Sequence, residues 1–111
     1  MKMTHEDYDR VTVVGLQGEM GADDVEPFKK LVGERLAGGG CDFVLDAAKL
    51  DFVDSRGIET LLWLQDQAGE RLGQVRLVKP TEPVRTILRI TRLEHTFDTH
   101  DSTEAALKSL R

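Results

Sequence analysis

Consecutive apolar residues in the segment from Arg10 to Leu16, RVTVVGL, leave it no polar face to show to water. Such a strand is stable only when other elements cover its sheet on both sides. The segment from Asp42 to Asp46, DFVLD, is equally short, apolar and rich in strand formers, and reads as a central strand. Between them, the run from Asp24 to Gly40 places Val25, Phe28, Val32 and Leu36 at spacings of three and four, which makes an amphipathic helix. Pro27 is tolerated there because it falls in the first turn, and Gly38-Gly39-Gly40 ends the helix. The intervening GEMGADD reads as a Gly-rich turn.

The alternation continues to the end of the chain. A second helix is expected from about Ser55 to Gly69, with Ile58, Leu61, Leu62 and Ala68 on its inner side. Gln74 to Val78, QVRLV, alternates as a strand does. Thr81 is placed to cap a third helix with Pro83 in its first turn and Val84, Ile87 and Leu88 on one face. A short strand is expected near Thr96 to Asp98. Asp101 with Glu104 resembles a capping box, and it opens a last helix carrying Ala106, Leu107 and Leu110. Strands alternating with helices predict an α/β sheet packed by helices.

A chain of 111 residues is one domain with room for a single core. Its 40% apolar and 32% charged residues describe a soluble globular protein. The net charge of −5, without clustered Lys or Arg, argues against nucleic acid or an anionic membrane as partner. Cys41 is the only cysteine, so no intrachain disulfide is possible, and its place before a strand predicts a small buried side chain. The opening MKMTHEDYDR has no apolar leader core, and no apolar run approaches the roughly 20 residues needed to span a bilayer. A cytoplasmic location is expected.

No catalytic constellation assembles. His5, His95 and His100 lack metal-ligand spacing, and neither HExxH nor paired cysteines occur. GGGCDF follows a helix and is no phosphate loop, GEMGADD lacks EF-hand spacing, and Ser55 stands outside any GxSxG elbow. No enzyme activity, metal or cofactor is expected, unless the histidines converge in space to support a hydrolase.

The stretch FVDSRGIETLLWL puts Ser55 between an acid and a base at a helix mouth. Two readings stand on spacing alone. Ser55 caps the helix, or it is the site where another protein adds a phosphate. A helix N-terminus favours an anion, and a phosphate carries about −1.5 to −2 charges. It would arrive beside Asp51, Asp54 and Glu59 and turn an acidic surface strongly acidic.

Nearly the whole chain resembles a STAS domain, the family of bacterial anti-sigma factor antagonists. GEM resembles the family's Gly-Glu-Leu turn, and FVLDAAKLDFVDSRGIETLL its strand, loop and Asp-Ser-x-Gly helix start. LVKPTEPVRTILRITRL resembles its fourth strand and third helix, and DSTEAAL its C-terminal helix. The resemblance implies one domain over residues 1–111, a mixed sheet of four to five strands packed by about four helices. It implies that Ser55 is the phosphoacceptor. Asp51, Asp54, Arg56, Gly57 and Glu59, with Glu19 and Gly21, then form the partner-binding surface around it. The implied partner is an anti-sigma factor that is also a serine kinase, with a histidine-kinase-like ATPase fold. The unphosphorylated form binds it and frees a sigma factor, and a PP2C-type phosphatase resets the cycle.

Three positions depart from the family pattern. Gly21 stands where Asp is usual, Arg56 replaces a small residue after the serine, and Arg92 replaces a Gly at the end of the third helix. Arg56 has four possible roles: pairing with Asp54, holding a phosphate on Ser55, obstructing a kinase, or standing free in solvent. Two other functions remain open on sequence. One is a constitutive scaffold subunit of a signalling or lipid-transport assembly. The other is a small-ligand or nucleotide-binding protein using Asp46, Asp51 and Asp54 with Mg²⁺.

Overall fold

The computed structural model describes residues 1–110; Arg111, the last residue of the expected domain, lies outside the described residues. Five strands form one mixed sheet in the order β1 (Lys2–Tyr8), β2 (Val11–Met20), β3 (Asp42–Val53), β4 (Val75–Val78), β5 (Asp98–His100). The β1–β2 pair is antiparallel and every other pair is parallel. The crossovers are α1 (Val25–Ala37), α2 (Ser55–Glu70) and α3 (Glu82–Ile90), and α4 (Thr103–Ser109) closes the chain. Because strand order follows chain order, right-handed crossovers place all three connecting helices on one face. Phe28, Val32, Leu61, Leu64, Val84 and Leu88 accordingly share one core with Val14, Leu16, Phe43 and Leu45. On the opposite face α4 packs Ala106 on Val44 and Val78.

Several sequence expectations change in register. The strand from Arg10 extends to Met20, so Gly18-Glu19-Met20 belong to β2 and the turn is only Gly21 with the 3-10 segment Ala22–Asp24. β3 runs seven residues past Asp46 to Val53. Its alternation breaks because Gly15 to Met20 pair with Asp46 to Val53 through two irregularities, each placing an extra residue in β3. Those bulges turn Lys49 and Asp51 outward while Leu50 and Val53 stay in the core. β1 escaped the periodicity because KMTHEDY is an exposed edge, held by backbone pairing with charged residues along it.

β4 is buried at all four positions, although QVRLV alternates. Its polar position, Arg76, lies under α4, where its Nε donates to Ser109 Oγ at 3.0 Å and its Nη1 pairs with Asp98 at 3.4 Å. β5 starts at Asp98, two residues later than expected. The cap of α4 is Ser102, not Asp101; its Oγ accepts from the Ala105 N–H at 3.0 Å. Thr81 holds the cap position of α3, but its hydroxyl donates to the Leu50 carbonyl at 2.7 Å instead. On α2 Leu64 and Ala68 are fully buried and Leu61 nearly so, whereas Leu62 is only partly covered. Cys41 is buried as expected.

The three connecting helices end alike. Gly40 N–H donates to Arg35 O, Gly73 N–H to Ala68 O and Leu93 N–H to Leu88 O, each beside a bond from the preceding residue to the carbonyl three positions back. This is the Schellman closure, which requires a left-handed residue just past the cap. Gly39 supplies it for α1 at φ +96°, but Leu72 (φ 60°) and Arg92 (φ 62°) supply it for α2 and α3. A side chain in that region costs about 1–2 kcal/mol, against the roughly 0.5–1 kcal/mol of extra chain entropy a glycine loses. Leu72 is 93% exposed, so removing its side chain forfeits almost no packing. Leu72→Gly and Arg92→Gly are each expected to stabilise the domain by about 0.5–1 kcal/mol, read as a higher urea midpoint at unchanged slope. A lower midpoint for Leu72→Gly would contradict this account of the helix ends.

Candidate docking site

β3 delivers the chain to the mouth of α2, and Asp54 fixes the junction. Its N–H donates to the Met20 carbonyl at 3.0 Å, tying the loop to the end of β2. Its Oδ1 accepts from the Gly57 N–H at 2.9 Å, and its carbonyl accepts from the Ile58 N–H at 2.9 Å. Asp54 is therefore the N-cap, in extended backbone, and Ser55 is the first helical residue. The capping reading of Ser55 is thus replaced by its neighbour. Ser55 is exposed, and its hydroxyl has no hydrogen-bond partner among the described residues.

Gly57 lies beneath this loop and is buried. A Cβ there would stand 2.5 Å from Val53 Cγ1 and 2.8 Å from the Met20 carbonyl oxygen. Its absence lets α2 settle onto the ends of β2 and β3, so Gly57 supports the surface from below. Gly21 serves the same junction. A Cβ on it would come within 3.0 Å of Asp54 Oδ2, so the missing side chain leaves room for the capping carboxylate. Gly21 N–H in turn donates to Asp24 Oδ2 at 2.9 Å.

Glu19, Asp51, Arg56 and Glu59 are all exposed around the loop. Glu19 is the strand partner of Phe52, and Met20 of Val53. Partners across a sheet point to the same side, so Glu19 and Phe52 face out together while Met20 and Val53 enter the core. Arg56 makes no ion pair among the described residues, so of its four roles the pairing with Asp54 does not form. Arg56 lines a shallow cleft of about 210 Å³ toward α1, with Glu26, Lys29, Glu59 and Thr60. Asp46 sits apart, accepting from the Ala48 N–H at 3.1 Å in a recess with Lys2 and Lys49. No group of three metal-ligating side chains exists among the described residues, so the acids weighed for Mg²⁺ do not converge. No described helix is long and apolar enough to cross a membrane.

The assignment of the cap is open to direct test. Asp54→Ala is expected to cost about 0.5–2 kcal/mol, whereas Ser55→Ala stays within about 0.5 kcal/mol of the parent. Gly57→Ala, which forces a methyl against Val53 and Met20, is expected to cost about 1–3 kcal/mol. Urea unfolding of the three variants ranks them; a Ser55→Ala loss equal to that of Asp54→Ala would return the cap to Ser55.

Comparison with known proteins places this geometry. The family model described as Mlab, STAS domain matches residues 3–101. BtrV of Bordetella bronchiseptica, named as an anti-sigma factor antagonist, is 25% identical over 111 residues, covering 100% of this chain and 96% of BtrV. A Thermotoga maritima structure described in the same terms superposes with a TM-score of 0.90 at 22% identity, covering 98% of this chain and 94% of that one. SpoIIAA in its unphosphorylated form gives 0.88 at 21% identity, covering 99% and 96%. The phosphorylated form of the Bacillus SpoIIAA gives 0.79 at 20%, covering 99% and 100%. The five-stranded mixed sheet fits these comparisons, and the chain belongs to the STAS domain family, that of the anti-sigma factor antagonists.

Proposed function

We propose that this protein is a phosphorylation-switched anti-sigma factor antagonist. Unphosphorylated, it binds an anti-sigma factor that is also a serine kinase and so releases a sigma factor. The kinase transfers the γ-phosphoryl group of ATP to Ser55 Oγ, ADP leaves, and the complex dissociates. A PP2C-type phosphatase hydrolyses the ester and restores the binding form. The protein itself supplies no catalysis, and it works in the cytoplasm, where sigma factors act.

One observation carries this reading. Of the three serines, Ser102 caps α4 and Ser109 both accepts from Arg76 and donates to the Ala106 carbonyl, while Ser55 alone has an uncommitted, exposed hydroxyl. Thr60, nearby on α2, is buried and donates to the Arg56 carbonyl at 2.8 Å. Modifying Ser55 therefore breaks no internal bond. Because Asp54 holds the cap, the loop keeps its shape in both states, and the signal is carried by charge and bulk alone. A phosphate there faces the phosphates of the kinase's own nucleotide and must lose its hydration in any closed interface, which opposes rebinding. A relative of this fold, SpoIIAA, has been seen in both an unphosphorylated and a phosphorylated form, which supports this reading.

With its cognate kinase and ATP, the protein is expected to gain one phosphate, mapped by mass spectrometry to Ser55. Ser55→Ala should bind the kinase persistently and Ser55→Asp at least about tenfold more weakly, a difference of 1.4 kcal/mol in calorimetric titration. Modification chiefly at Ser102, Thr103 or Thr60, or equal affinities of the two variants, would overturn the proposal.

A further inference from the structure

The loop beside Ser55 carries an aromatic side chain that the fold does not use. Phe52 is 45% exposed, whereas Val53, its neighbour in β3, is almost fully buried. It borders a cleft of about 300 Å³ whose wall runs along Met20, Gly21 and Ala22. The rim is acidic: Glu19 stands beside Phe52 across the sheet, and Asp23 closes the other side. Asp24 and Asp54 also line the cleft, but their carboxylates are held by Gly21 N–H and Gly57 N–H. Glu19 and Asp23 are exposed and have no ion-pair or hydrogen-bond partner among the described residues. No lysine or arginine lines this cleft.

We infer that Phe52 is the anchor of the docking surface, and that the partner meets it with a basic side chain set beside an apolar one. This inference rests on the proposed function for the location of the surface, and deepens it by naming the partner's chemistry. Aromatic side chains, Phe among them, are enriched at the buried core of interfaces. The face of the ring attracts a guanidinium or ammonium group, and the two free carboxylates supply the matching charge. Attraction and switching then fall on different sides of Asp54. The cleft recruits a basic surface, while Ser55 carries the bulk and hydration that end the contact.

The probe is the blocked peptide acetyl-Arg-Leu-Arg-amide, with acetyl-Glu-Leu-Glu-amide as its opposite, titrated into ¹⁵N-labelled protein that has met no kinase. The basic peptide is expected to shift the amides of Glu19 to Asp24 and of Phe52 to Asp54 in a saturable way. Phe52→Ala should weaken it about tenfold, as should Glu19→Gln with Asp23→Asn, the latter pair also removing most of the salt dependence. A dispersed spectrum for each variant establishes that it remains folded. Absence of shifts, shifts centred elsewhere, equal shifts from the acidic peptide, or an unaffected Phe52→Ala would each overturn the inference. The outcome does not depend on Ser55, so the cleft and the switch stand or fall separately.

Discussion

The missing side chain of Gly57 sets how closely a helix can approach the sheet that carries it. Two strands, β2 and β3, end against that residue, through the Met20 carbonyl and the Val53 methyl. With α2 seated there, Asp54 lies where it can take the Gly57 N–H and give its own N–H to Met20. Three residues, Gly21, Asp54 and Gly57, thereby fix the position of a fourth, Ser55. Ser55 occupies a hydrogen-bonded helix entry with its hydroxyl left over, so that modifying it need not disturb the fold.

The bonds that Asp54 makes bear on how a switch at this loop would act. A switch that melts or orders a segment must overcome the conformational entropy of that segment. A switch that adds charge and volume to a preformed surface does not. The acidic setting of Glu19, Asp51, Asp54 and Glu59 strengthens the second mode, because each added charge raises the cost of closing a dry interface over the loop. Arg56, which follows the serine in sequence, lines the cleft toward α1 with Lys29, Glu26 and Glu59.

Helices were the most legible part of the sequence, because Val32 and Leu36 or Val84 and Leu88 repeat at helical spacing and tertiary packing follows that stripe. Strand ends were less so. The run Ala48-Lys49-Leu50-Asp51 breaks period two, and only the pairing with β2 reveals that two bulges absorb the mismatch. The β1 edge has no apolar signature at all. At the site, Asp54 and Ser55 are both good capping residues in adjacent positions, so composition did not separate them; backbone geometry at Asp54 did. Phe52 and Val53 read as one apolar approach to the helix, yet their partners Glu19 and Met20 send them to opposite sides of the sheet. That split, which single-sequence reasoning missed, is what leaves an aromatic ring beside the serine.

The central claim is that Ser55 is modified on a loop whose shape Asp54 maintains unaided. Hydrogen exchange at the Gly57 amide, compared between the unphosphorylated protein and protein stoichiometrically phosphorylated at Ser55, tests this most directly. The account predicts the same protection in both, because the Asp54–Gly57 bond is made without the serine. Protection that collapses on phosphorylation would contradict it, and would mean that the phosphate competes for the helix cap and rebuilds the loop.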